Sequence, residues 1–188
     1  PECEFDVAVK LSKSRHEHPD DQDYHKFAIR FPWHLQQRSG RAGRMIKLDT
    51  CHSEPILFRP EKRNLIHSYS SVLDTQVMCV ALDEILAEKY VAMCGVASQI
   101  ERLERQSSRP RDFYDFEHGL SGGRPQDKEA FLAVVIIKAE RRGLSVRSIA
   151  ELSASPGIAA LNRDWEAFLG DVVADLGDCP STLKRLEE

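Results

Sequence analysis

The sequence predicts an α+β fold in which a sheet-rich first part, residues 1–82, is followed by a helical second part, residues 83–188. Apolar residues alternate with polar ones in the first part, whereas after residue 83 they recur at helical spacing. Strands that are grouped first and helices that are grouped after favour α+β over an alternating α/β arrangement. The composition, 41% hydrophobic and 30% charged over 188 residues, is that of a globular chain that buries a core without disulfide bonds.

Three segments of the first part have the alternation that is typical of strands, residues 5–9, 27–31 and 45–51. In the third segment, Asp49 falls on the face opposite Ile46 and Leu48, so we expect it on the exposed side of the sheet. Further apolar runs that suggest short strands occur at residues 56–58, 65–69 and 77–82.

Helical spacing begins at Asp83, which we expect to cap a long helix over residues 84–105. A short helix over residues 111–117 is predicted to end at Gly119. The next predicted helix covers residues 127–142. Weaker helical segments follow at residues 146–152, 159–173 and 181–186.

The cysteines and the apolar runs bear on the cellular compartment. The five cysteines include no C-x-x-C pair, a pattern that fits neither a disulfide framework nor a zinc site. No run approaches the roughly 18 apolar residues that a membrane-spanning helix needs. The chain starts at Pro1 without an initiator methionine or a signal peptide, and we interpret this start as a cut edge. We therefore expect a cytoplasmic protein that does not cross a membrane.

The overall charge does not favour nucleic acid, but one local tract does. With 26 basic and 30 acidic residues the formal net charge is −4. The window of residues 34–48 nevertheless contains no acid and carries Arg38, Arg41, Arg44 and Lys47. Such a tract either follows nucleic-acid phosphates, with salt-dependent affinity, or is simply a solvated face.

Two acidic residues at the first strand form a candidate metal site. Glu4 and Asp6 are two positions apart, so in a strand both side chains point to the same face. Oxygen ligands placed in this way can share Mg²⁺ together with substrate phosphates. Asp49 completes a cluster of three carboxylates if its strand lies next to the first one. The alternative is that these are ordinary acidic residues of a solvated strand.

The helical part contains a second group of candidates. Asp112 and Asp115 are three positions apart and share one face of the predicted short helix. The simpler interpretation is an amphipathic helix in which Arg111 pairs locally. Lys89 lies in an otherwise core-facing stretch, where it either extends its ammonium to the surface or neutralises a nucleotide phosphate.

Four segments, taken in order, resemble the AbiEii/AbiGii toxin family of nucleotidyltransferases. They are EFDVAV at residues 4–9, MIKLD at residues 45–49, LDEILAEK at residues 82–89 and RDFYD at residues 111–115. The last two segments are the most specific. Residues 162–169 also look like the C-terminal helical region of this family, so the resemblance covers nearly the whole chain.

The resemblance implies a polymerase-β-like nucleotidyltransferase fold with a mixed sheet, followed by a helical domain. It also implies Mg²⁺ and the transfer of a nucleotide from an NTP to an acceptor. Members resemble one another as toxins of toxin–antitoxin or phage-defence pairs, and some modify the acceptor end of tRNA. A cognate antitoxin is therefore an expected partner.

The resemblance also assigns roles by position. Asp6 matches the metal-binding acid of the family, Lys89 its phosphate-binding lysine and Asp112 its later catalytic acid. Glu4 stands where the family has an acid or a serine, and Asp49 is a weaker match. The basic tract would then bind the acceptor nucleic acid.

One family motif is missing from this sequence. The Gly-Gly-Thr or Gly-Gly-Ser segment that holds the NTP phosphates should precede the strand acids, but the sequence starts three residues before Glu4. Two interpretations stay open. The chain is either a piece of a complete enzyme or a degenerate relative that lost catalysis and binds a protein or a nucleic acid.

Overall fold

The chain forms two compact units, Pro1–Pro55 and Ile56–Glu188. The computed structural model describes residues 8–12, 24–31, 44–51, 54–64, 76–101 and 108–187, and within residues 8–12, 24–31, 44–51 and 99–101 it describes the backbone alone. The change from strand to helix occurs near residue 82, as predicted, and the α+β class is confirmed. Within the second unit, the segment after Pro55 is hydrogen-bonded to the first helix.

The first unit contains three strands in the order β1, β2, β3: Ala8–Ser12, Tyr24–Phe31 and Arg44–Cys51. Both pairings are antiparallel. They do not form the mixed sheet that the resemblance implies, as far as the described strands extend.

The register of this sheet bears on the predicted carboxylate cluster. Asp49 is paired with Lys26 of β2, which is paired on its other side with Ser12 of β1. At the opposite end of β1, Ala8 is paired with Arg30 of β2, which is paired on its other side with Met45 of β3. Because β2 lies between β1 and β3, the strand of Asp49 is not adjacent to β1, so the condition for a cluster of three carboxylates is not met by the described strands.

The second unit begins with a two-stranded antiparallel sheet of β4, Glu61–Asn64, and β5, Gln76–Cys79. The helices that follow are α1 (Leu82–Glu101), α2 (Pro110–Ser121), α3 (Lys128–Arg141), α4 (Ile149–Ser153), α5 (Ile158–Leu169) and α6 (Cys179–Glu187). Their order and type match the prediction, although the last three differ from it by several residues at their ends.

Two helix ends differ from the prediction for a physical reason. The first bond of α1 runs from Ile85 N–H to the carbonyl of Ala81, so the helix starts before Asp83. The Asp83 carboxylate instead pairs with Arg124, with 2.7 Å between Oδ1 and Nε. The helix α2 continues past Gly119, because the missing side chain at this position lets α2 approach α1 closely.

The contact at Gly119 sets the spacing of α1 and α2. A Cβ atom added there would lie 2.6 Å from Cδ2 of Leu86, which is 1% exposed. The same core continues from α1 and α2 through α3 to α6 and includes Val91, Val135 and Trp165. A larger residue at position 119 would therefore have to displace the Leu86 side chain or move the helices apart.

A buried ion-pair network fixes α1 against α3. Lys138 of α3 is 4% exposed and lies 2.6 Å from a carboxylate oxygen of Glu84, which is 2% exposed. Lys138 also contacts Glu88, which pairs in addition with Arg142. Burial lowers the pKa of Lys138, but the two carboxylates outweigh burial and raise that pKa above 10.5.

Glu84 also ties the start of the second unit to α1. Its second oxygen accepts hydrogen bonds from the backbone N–H groups of Leu57 at 3.0 Å and Phe58 at 2.7 Å. Residues 56–58, a predicted short strand, are irregular. The N–H groups of Leu57 and Phe58 are thus hydrogen-bonded to a carboxylate instead of to a neighbouring strand.

Candidate functional site at the interface of α1 and α2

The helices α1 and α2 bring four charged side chains together. Lys89 Nζ of α1 lies 3.3 Å from Asp112 Oδ1 and 2.6 Å from Asp115 Oδ2 of α2. The other oxygen of Asp112 lies 3.3 Å from a guanidinium nitrogen of Arg109. The group contains two cations and two anions, so its formal charges cancel.

Helix geometry explains why these groups meet. Asp112 and Asp115 are three positions apart, so both carboxylates lie on one face of α2. Lys89 is three positions after Leu86, the residue that packs on Gly119, so the close contact of the helices holds Lys89 beside α2. The structure therefore brings the predicted Lys89 and Asp112 together across 23 positions of sequence.

The start of α2 has an unusual backbone conformation. Arg109, the residue before the helix, has φ 47° and ψ 51°, which is the left-handed region. Pro110 occupies the first helical position, where its missing N–H costs no helical hydrogen bond. This turn brings Arg109 back over the first turn of α2 and next to Asp112.

The electrostatics of the group keep Lys89 charged. Its side chain is 21% exposed, and that of Asp112 is 19% exposed. Burial lowers the pKa of Lys89, but the hydrogen bond and charge of Asp115, together with those of Asp112, outweigh burial and raise the pKa above 10.5. The ammonium is thus bound to carboxylates and is not merely extended to the surface.

Tyr90, the residue after Lys89, connects α1 to other parts of the second unit. Its hydroxyl donates to the backbone carbonyl of Arg147 at 2.5 Å, and its ring lies 5.1 Å from that of Phe116. Burial raises the pKa of Tyr90 to about 12. The residue next to Lys89 is therefore fixed both by packing and by a hydrogen bond.

The other predicted site residues are placed only in part. Glu4, Asp6, Arg38 and Arg41 lie outside the described residues. Arg44, Lys47 and Asp49 are in β3, where the backbone alone is described. Their proposed roles in metal and nucleic-acid binding stay predictions.

The described part of the chain contains no metal centre of its own. It holds no group of three or more His, Cys, Asp or Glu side chains that could bind an ion. Asp112 and Asp115 are instead engaged with Lys89 and Arg109.

The resemblance assigns no role to two members of this charged group, Asp115 and Arg109. For Asp115, the spacing of three positions from Asp112 on one helix face is the signal in the sequence. Arg109, and not Arg111, is the cation beside Asp112. The left-handed conformation of residue 109 has no reliable signature in an arginine, so its position could not be predicted.

The chain was compared with protein families, curated proteins and solved structures. A family model described as "Nucleotidyl transferase AbiEii toxin, Type IV TA system" matches residues 3–188. No curated protein and no solved structure matches significantly. Within the described residues, no helix is both long and apolar enough to cross a membrane.

Proposed function

Because the chain belongs to the AbiEii nucleotidyltransferase toxin family, we propose that it transfers a nucleotide from an NTP to an acceptor hydroxyl. The family is one of type IV toxin–antitoxin systems, which implies a nucleotide substrate and a cognate antitoxin. The observation that supports the proposal best is the meeting of Lys89 and Asp112 at 3.3 Å. Transfer RNA is the candidate acceptor, and the cytoplasm the candidate compartment.

The proposed reaction is a displacement at the α-phosphorus of the NTP. The acceptor oxygen forms a new P–O bond, the bond between the α-phosphorus and the bridging oxygen breaks, and pyrophosphate leaves. The charge on the phosphoryl oxygens has to be stabilised throughout. Positioning and electrostatics supply most of the rate in such transfers.

Lys89 and Asp112 have distinct proposed roles. The Lys89 ammonium offsets the negative charge of the triphosphate as a compact point charge. Asp112 orients or deprotonates the attacking hydroxyl. Arg109 keeps the Asp112 carboxylate in place, because it contacts the oxygen that Lys89 does not.

Mg²⁺ is the proposed cofactor, and when bound it would offset negative charge on the reacting phosphate. Its proposed ligands are Glu4, Asp6 and Asp49, all from the first unit. In the described sheet, β2 lies between β1 and the strand that carries Asp49. The basic tract of Arg38, Arg41, Arg44 and Lys47 is proposed to bind the acceptor.

Transfer can be tested with the full chain, Mg²⁺, each labelled NTP and total tRNA. Incorporation of label into RNA is expected, and Lys89→Ala and Asp112→Ala should each reduce it by at least about 100-fold. Glu117→Gln is the matched control. It removes the charge of a different ion pair of α2, in which Glu117 lies 2.7 Å from Arg185, and should leave incorporation unchanged.

The competing function is that of an inactive remnant that binds a protein or a nucleic acid. It predicts no incorporation of label by the wild-type chain with any NTP. Unchanged incorporation by Asp112→Ala would instead refute the role of Asp112. A chain that retains RNA but transfers nothing would support the binding module.

A further inference from the structure

The Lys89 ammonium contacts two carboxylates, and the closer one belongs to Asp115. Lys89 Nζ lies 2.6 Å from Asp115 Oδ2, compared with 3.3 Å from Asp112 Oδ1. Asp112 divides its contacts between Lys89 and Arg109. Asp115 is therefore the firmer of the two anchors on the ammonium.

We propose that Asp115 is a positioning residue that fixes the Lys89 ammonium so that its remaining proton is available to a substrate phosphate. An ammonium has three protons to donate. Among the described residues, Asp112 and Asp115 are the acceptors in contact with it, and they take two. This inference rests on the proposed function of Lys89 and extends it to a residue with no assigned role.

The backbone supports such a fork of two carboxylates. Asp112 and Asp115 belong to one 12-residue helix, so their separation is set by the helix itself. The close contact of Gly119 with Leu86 then fixes the distance of this face from α1. The ammonium is thus held by two carboxylates of one helix.

Exposure separates this role from a purely structural one. The Asp115 side chain is 45% exposed, whereas that of Lys89 is 21% exposed. An ion pair with so exposed a partner adds little to folding stability. Loss of the Asp115 carboxylate should therefore affect the proposed phosphate binding by Lys89 more than the stability of the fold.

The test uses full-length variants Asp115→Ala, Asp115→Asn and Asp115→Glu. We expect Asp115→Ala to lower kcat by about 10- to 100-fold, with a melting temperature within about 2 °C of the wild type. Asp115→Asn should also be impaired, because it lacks the charge. Asp115→Glu should recover most of the activity. Asp171→Ala, which removes an exposed aspartate after α5, is the matched control.

Two further measurements do not depend on turnover. The first is the affinity for inorganic tripolyphosphate, which should fall in Asp115→Ala and not in Asp171→Ala. The second is the NMR signal of the Lys89 ammonium, assigned with Lys89→Met. Its titration should move to lower pH in Asp115→Asn, because Asp115 raises the Lys89 pKa.

The outcomes separate this inference from the proposed function. If Lys89→Ala and Asp112→Ala abolish transfer but Asp115→Ala does not change kcat, the role of Asp115 is refuted and the function stands. If the wild type transfers nothing, the proposed function fails, and the tripolyphosphate affinity and the Lys89 titration decide on Asp115. An unchanged Lys89 titration together with unchanged tripolyphosphate affinity would overturn the inference.

Discussion

Replacing Lys138 by methionine should destabilise the second unit more than any surface ion-pair change. Methionine has a similar shape but no charge, so it leaves the Glu84 carboxylate, which is 2% exposed, without its cation. Removing one partner of a buried pair costs about 3 to 5 kcal/mol. Because Glu84 also accepts hydrogen bonds from Leu57 and Phe58, we expect the lower limit, about 3 kcal/mol.

The assay is urea unfolding followed by far-ultraviolet circular dichroism. A loss of about 3 kcal/mol corresponds to a fall in melting temperature of roughly 6 to 12 °C. Arg63→Met is the control, because the Arg63 and Glu61 side chains are 60% and 37% exposed and such a pair contributes at most about 1 kcal/mol.

A double mutant tests the physical cause. Glu84→Gln combined with Lys138→Met removes both charges, so it should be less destabilising than the sum of the single changes. Equal costs for Lys138→Met and Arg63→Met would refute the reasoning that burial makes the Glu84 pair important.

Three other changes probe the helices and the basic tract. Gly119→Ala should lower the free energy of unfolding in urea by about 1 kcal/mol, because overpacking against Leu86 outweighs the gain in helix propensity, and it should also slow transfer. Gly95→Ala should instead be stabilising, because a Cβ atom there would lie 3.5 Å from its nearest neighbour. Tyr90→Phe should reduce the fall in the free energy of unfolding at alkaline pH. Because the Tyr90 pKa is raised, the neutral phenol stabilises the fold fully below pH 10.0, and this contribution is lost as the pH rises to about 12. An unchanged pH profile in that window would contradict the burial of Tyr90. The double variant with Arg44→Glu and Lys47→Glu should bind RNA more weakly, and the dependence of log affinity on log salt concentration should become less steep by about one per residue. Equal slopes for the variant and the wild type would exclude this tract as the RNA contact.

Local spacing predicted the helical part well. The residues 128–141 form a helix with Asp127 as its cap, because both the apolar spacing and the capping side chain act within a few residues. The strands that alternation predicts at residues 27–31 and 45–51 lie within the observed strands Tyr24–Phe31 and Arg44–Cys51. Gly119 was predicted to end a helix, yet it lies inside α2, because packing on Leu86 outweighs its weak helix propensity.

The sequence alone determined which family this chain belongs to and where strands give way to helices. It also identified Lys89 and Asp112 as candidate site residues. The tertiary structure alone decided that Lys89 reaches Asp112 and Asp115 together, and that Arg109 is the second cation. The reason is physical: a sequence pattern sets the face of each helix, but the distance between faces depends on the packing of Gly119 against Leu86.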